Sequence, residues 1–110
     1  MKITYRPVTK NDLPDRVRWF NDLEISQFLG DIVRSGTTLA KQKKWFEKIL
    51  KEKNRKDFVI EVDGKPVGGV ALLEINKIDK NAGIFIFVGE KRFWGKGVAK
   101  SFGIYRQLWI

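Results

Sequence analysis

"AGIFIFVGEKRFWGKGVA" (residues 82–99) joins an apolar run to a glycine-rich turn. The run 82–88 reads as a strand buried on both faces, because it lacks the alternation of a half-exposed one. Gly89, Gly95 and Gly97 then free the backbone. The residues from 98 to 110 read as a helix, although Gly103 weakens it by ~1 kcal/mol relative to alanine. A buried strand, glycines and a helix start make a place to hold an anion. The backbone can approach closely, several N–H groups converge, and the helix start adds partial positive charge. Two familiar forms of such a turn fail here. A P-loop needs four residues between its first glycine and Gly-Lys, then Ser or Thr; here five residues separate Gly89 from Gly95-Lys96, and Gly97 follows. A dinucleotide fingerprint needs Gly or Ala three residues after its second glycine, where this chain has Lys100.

Upstream, "DFVIEVDGKPVGGVALLEI" (57–75) reads as a hairpin. Phe58, Ile60 and Val62 alternate with Val59, Glu61 and Asp63, and Asp63-Gly64 supplies the turn. The return strand is nearly all apolar, so burial on both faces is expected, and Gly68-Gly69 predicts a bulge or a close backbone approach. "NKIDKN" (76–81) is a polar turn. "ITYRPV" (3–8) alternates as a first strand. Residues 11–20 read as a helix with Asp12 as N-cap, Pro14 in the first turn, and Leu13, Val17 and Phe20 on one face. Residues 21–36 lack a clean period and read as a short helix and a loop. Residues 37–53 read as an amphipathic helix with Leu39, Phe46, Ile49 and Leu50 inward and Lys41, Lys44, Lys48 and Lys51 on other faces. The order β-α-α-β-β-β-α is an α+β fold with a mainly antiparallel sheet and flanking helices.

Composition narrows the chemistry. The chain has 110 residues, which suits one domain over 1–110. It has no cysteine and no histidine, which excludes disulfides, thiolate metal sites and Ser–His or Cys–His catalysis. No tight Asp/Glu cluster suggests a metal site, so none is expected. The net charge of +9 suits a phosphate-bearing partner, or simply a solvated, ion-paired surface. No signal-peptide apolar region follows Met1, and no apolar run approaches the roughly 20 residues of a membrane span. No membrane partner and a cytoplasmic location are the expectation.

A third form of anion turn, Arg/Gln-x-x-Gly-x-Gly/Ala between a strand and a helix, fits Arg92-Phe93-Trp94-Gly95-Lys96-Gly97 at every position. This segment resembles the acyl-CoA pyrophosphate loop of the GNAT superfamily of N-acetyltransferases. "YRPVTKNDLP", "WFND", "IEVDGKPVGGVALLEI" and "FWGKGVA" all look like its ribosomal-protein and spermidine acetyltransferase branch, in the right order, from about Ile3 to Ala99. The resemblance implies acetyl-CoA as co-substrate and direct acetyl transfer to an amine, which suits a chain without Cys or His. It implies a sheet splayed between its fourth and fifth strands, with the pantetheine arm against Phe87, Val88 and Gly89. It places the pyrophosphate on the amides of Arg92, Trp94, Gly95, Lys96, Gly97 and Val98. Glu74, at the end of the third strand, is its candidate general base. The acidic position that some relatives carry in the fourth strand falls here within apolar "AGIFIFV".

The resemblance breaks after Ala99. The family continues into a fifth strand, another helix and a hairpin, so the sequence reads as the N-terminal part of the fold, truncated, with the fifth strand and later elements missing. A fourth strand left at the sheet edge would expose unpaired N–H and C=O groups. A homo-oligomer through that strand or the C-terminal segment is therefore expected. The acceptor amine is not legible, though a polyamine suits so cationic a chain poorly. The alternative function is a noncatalytic basic module for nucleic acid or another polyanion. Trp45, Phe46 and the neighbouring lysines are its best support, but no RNA-binding motif accompanies them, so nucleic acid is the less favoured partner.

Overall fold

In the computed structural model, which describes residues 1–27, 29, 30, 36–98 and 100, the sheet is organised around one tight turn. Asp63 (φ 51°) and Gly64 (φ 80°) both adopt left-handed backbone, as a two-residue hairpin requires. They join β2 (Lys56–Val62) to β3 (Lys65–Asn76). The Asp63 carboxylate accepts from the Lys2 amide, and the Asp63 amide donates to the Lys2 carbonyl, both at 2.8 Å. That double contact lays β1 (Ile3–Pro7) beside β2. β4 (Asn81–Val88) follows β3 through the polar turn, where Asn76 Oδ1 accepts from the amides of Ile78 and Asp79 at 3.1 Å. The strands run in the order β1-β2-β3-β4, antiparallel throughout. The architecture is α+β, as the sequence predicts.

Among the described residues three α-helices precede β2: α1 (Leu13–Phe20), the single turn α2 (Leu23–Ser26) and α3 (Leu39–Ile49). Asp22 and Thr38 cap α2 and α3 by accepting from the amides of Glu24 (3.0 Å) and Lys41 (3.2 Å), satisfying N–H groups that the helix cannot. Trp19, Phe20 and Ile25 from α1 and α2 pack with Phe87 on one face of the sheet. The opposite face carries the larger core: Phe58, Ile60, Val62, Val67, Val70, Leu72 and Ile75, covered by Val98. Val98 and Lys100 are helical; the remainder of the helix expected over 98–110 lies outside the described residues.

β3 is buried continuously over residues 67–72. Its two glycines are there for space. A side chain at Gly68 would run into the Phe87 carbonyl, and one at Gly69 would come within 2.8 Å of the Phe87 ring. The predicted irregularity is real as well: pairing passes from Ile60↔Gly68 to Glu61↔Pro66, leaving Val67 as the extra residue of a bulge. A second irregularity lies between Leu73 and Asn76, where Glu74 takes φ 51°.

The structure corrects three expectations. β4 is not buried on both faces. Among its residues only Phe87 is buried, while Gly83 and Ile84 are exposed, because β4 is the edge of the described sheet. On α3, Phe46 is buried, but Leu39 and Leu50 are exposed and Ile49 is only half-buried. The inward face is centred on Gln42 and Phe46, since Gln42 is drawn in by hydrogen bonds to Arg16 and Thr37. Asp12 makes no side-chain cap on α1. It closes a 3-10 turn, Lys10–Asp12, as the partner of Thr9 in a capping box. Its carboxylate accepts from the Thr9 amide at 2.7 Å and from both terminal nitrogens of Arg6 at 2.7 and 2.8 Å. Burial pushes the Asp12 carboxyl up, but these bonds hold it below its ordinary value.

Candidate functional site

The glycine turn grows from the end of β4. The amides of Gly89 and Glu90 both donate to the Val67 carbonyl, at 2.7 and 3.2 Å. Gly89 is buried against Trp19, whose ring a side chain there would strike. The Glu90 carboxylate accepts from Trp19 Nε1 at 3.3 Å and from Arg18 Nη1 at 3.2 Å. Its partial burial raises the carboxyl, yet the Arg18 pair dominates with Trp19, and the net direction is down. Lys91 bridges Asp22 (2.9 Å) and Glu24 (3.1 Å). The base of the turn is thereby clamped to α1 and α2.

Beyond the clamp, residues Lys91–Phe93 form a 3-10 turn. Gly95 (φ 74°) and Gly97 (φ 78°) are left-handed, and a side chain at either would meet nothing within 4 Å. These glycines serve conformation, unlike Gly68, Gly69 and Gly89, which serve space. Among the described residues, the amides of Gly95 and Gly97 donate no hydrogen bond, and that of Lys96 donates only a long one, 3.4 Å, to the Phe93 carbonyl. Lys96 and Lys100 are exposed nearby. Unpaired N–H groups on a left-handed glycine turn, next to lysines, can bind an anion without a metal.

Beside this turn is a groove of about 380 Å³ along the end of β4, lined by Ile86, Phe87, Val88, Trp94, Gly97 and Val98 among others. At its wall the Trp94 indole donates to the Val88 carbonyl at 2.8 Å. The structure thus gathers six of the residues expected to bind cofactor: Phe87, Val88, Trp94, Gly95, Gly97 and Val98. Gly89 lies beneath the turn. Arg92 opens onto a separate hollow with Arg18 and Asp22, and its guanidinium lies 4.9 Å from the Phe93 ring. Lys96 is outside the groove lining. Glu74 stands apart from all of these. It is exposed at the far end of β3, in a hollow with Glu52 and Asn54, whereas β4 meets the glycine turn opposite Gly68.

A second cavity, about 350 Å³, opens between α1, α3 and β4. Phe87 lines both this cavity and the groove. Arg16 is only 9% exposed, and its guanidinium lies 3.8 Å from the Trp45 ring and 4.8 Å from that of Phe20. Its Nε donates to Gln42 Oε1 at 2.9 Å. Burial pushes Arg16 down to about 10, an effect that the nearby Asp57 carboxylate opposes and Arg55 adds to. Asp57 is itself held by Arg55, at 2.7 and 3.1 Å. Sequence reading missed this cavity. The available signal was Arg16 one helical turn ahead of Phe20, which puts a cation on the apolar face of α1. Trp45 and Phe46, the aromatics that supported a nucleic-acid surface, are engaged by Arg16 and by the core respectively.

The family model for the acetyltransferase (GNAT) domain matches residues 2–103. No curated protein sequence matches the chain. Among solved structures, a chimaera of spermidine N-acetyltransferase SpeG from Vibrio cholerae and hSSAT superposes with TM-score 0.79 at 20% identity, covering 100% of this chain and 65% of that one. The Vibrio cholerae spermidine N-acetyltransferase in complex with CoA and spermine gives TM-score 0.76 at 20% identity, covering 98% and 64%. RimL, a ribosomal alpha-N-protein acetyltransferase in complex with coenzyme A, gives 0.77 at 16% identity, covering 96% and 64%. The chain therefore spans about two thirds of the length of these structures. Among the described residues no helix is long and apolar enough to cross a membrane.

Proposed function

Because the chain belongs to the acetyltransferase (GNAT) domain family, we propose that it serves acetyl-CoA-dependent N-acetylation of a primary amine. The observation that carries this reading is the Gly95–Gly97 turn, whose two left-handed glycines donate no amide hydrogen bond among the described residues, at the mouth of a groove along β4. The amides of Gly95, Lys96 and Gly97 would hold the pyrophosphate, with Lys96 and Lys100 adding charge. The Val88 backbone would hold the pantetheine arm; its carbonyl accepts from the Trp94 indole at 2.8 Å and has a second lone pair to offer. The co-substrate supplies an activated thioester. In the transfer, the neutral amine nitrogen bonds to the acyl carbon, the carbon–sulfur bond breaks, the nitrogen gives up one proton and the departing thiolate takes one up. No covalent intermediate on the chain is needed. Glu74, which lines neither the groove nor the Arg16 cavity, receives no step here.

The setting is proposed to be cytoplasmic, where acetyl-CoA is available. A homo-oligomer formed through the outer side of β4 belongs to the same reading, since β4 has a neighbour on one side only among the described residues. Calorimetric titration with acetyl-CoA, alongside light scattering for mass, tests both. Saturable binding near roughly one equivalent per chain is expected, with a stabilisation that grows with ligand. Absence of binding at millimolar acetyl-CoA overturns the acetyltransferase reading. A strictly monomeric mass overturns the oligomer.

A further inference from the structure

We propose that Arg16 selects an acceptor amine that also carries an anionic oxo group, a carboxylate or a phosphate, and binds that group in the cavity beside Phe87. This deepens the acetyltransferase reading and rests on it for the role of the amine.

Four observations support the assignment. First, Arg16 is nine-tenths buried, yet among the described residues it forms no salt bridge, whereas Arg6, Arg18 and Arg55 all do. Buried arginines ordinarily have a carboxylate partner. Second, its bonding capacity is only partly used. The rings of Trp45 and Phe20 lie beside the guanidinium and Gln42 takes its Nε. Among the described residues the terminal amino groups have no hydrogen-bond partner, and a guanidinium edge matches an oxo anion with two parallel bonds. Third, among the described residues the cavity lining carries excess positive charge: Arg16, Lys41 and Arg55 line it, and the one lining carboxylate among them, Asp57, is engaged by Arg55. A polyamine would add like charge to that wall, whereas an anionic group neutralises it. Fourth, Phe87 separates this cavity from the proposed acetyl-CoA groove. An amine tethered to an anion at Arg16 therefore sits on the side of β4 next to the proposed donor.

The test titrates three amines into the whole chain by calorimetry: O-phosphoethanolamine, ethanolamine and spermidine. The phosphate-bearing amine should bind about tenfold or more tighter than ethanolamine, as charge-assisted bonds in a buried site imply. Spermidine should bind more weakly than O-phosphoethanolamine. Arg16→Met, which keeps the apolar stem, should abolish the preference. Arg16→Lys should lose most of it, since an ammonium lacks the planar fork, and it is the deciding variant if Arg16→Met does not fold. Equal or tighter binding of spermidine, or a preference undiminished in folded Arg16→Lys, overturns the proposal. Acetyl-CoA titrated separately keeps the two readings apart. Its failure to bind removes the acetyltransferase reading, while an Arg16-dependent anion preference would still stand.

Discussion

β3 and β4 are adjacent, antiparallel and similarly apolar in sequence, yet they live in different environments. β3 is covered on both faces and paired on both sides. β4 has one neighbour among the described residues and buries only Phe87. An apolar run in the middle of a sheet is explained by the core. The same run at an edge is explained only by something that will lie against it. The half-exposed end of β4 is also where the glycine turn and the groove meet. The contrast therefore separates the part of the sheet that holds the fold from the part along which the proposed acetyl-CoA groove runs.

The largest effect should come from truncating β3. Leu72→Ala, at a position with 0% exposure, should cost about 3 kcal/mol in urea unfolding. Ile84→Ala, 41% exposed on β4 opposite Leu72, should cost under about 1 kcal/mol. Equal losses would show that β4 is covered as fully as β3 in solution. The glycines sharpen the contrast next. Gly68→Ala should cost about 2 kcal/mol or more, because its methyl group meets the Phe87 backbone. On β4, Gly83 has ordinary space, 3.6 Å to the Leu73 Cβ, so Gly83→Ala should be neutral or stabilise by up to about 1 kcal/mol.

Charge pairs extend the comparison. The Arg6–Asp12 pair is rooted beside β1, with the Asp12 side chain only 6% exposed; Asp12→Ala should cost about 2 kcal/mol. Asp12 and Glu90 are both held below their ordinary values of 3.8 and 4.5. Their stabilisation is therefore complete above those values and is lost as pH falls through the depressed folded ones. Acid unfolding of the wild type should begin below about pH 4.5, and Asp12→Ala should show a shallower acid dependence. The smallest effect should be at the clamp below the turn. Lys91 pairs with Asp22 and Glu24 in the open, so Lys91→Ala should leave the unfolding midpoint nearly unchanged and remove only a salt-sensitive component.

Much of this molecule was legible residue by residue. Asp63-Gly64 named its own turn, because left-handed backbone at two successive positions is a demand that few residue pairs meet. Gly68-Gly69 announced a close approach, and Gly95 and Gly97 announced a left-handed turn. These features depend on sterics within a few residues, so the sequence by itself determined them, together with the element types and the exclusion of Cys and His chemistry. Tertiary structure decided what depends on distant partners. Which apolar strand becomes the edge follows from sheet order, and no local pattern in "AGIFIFV" encodes it. Gln42 turned inward because Arg16 and Thr37 were there to receive it, which shifted the buried face of α3 away from Leu39 and Leu50. Glu74 met the chemical requirement for a base, but the length of β3 carried it away from the groove. The Arg16 cavity needed α1, α3 and β4 to converge, since a buried cation acquires its binding character only from the rings and carboxylates that folding brings around it.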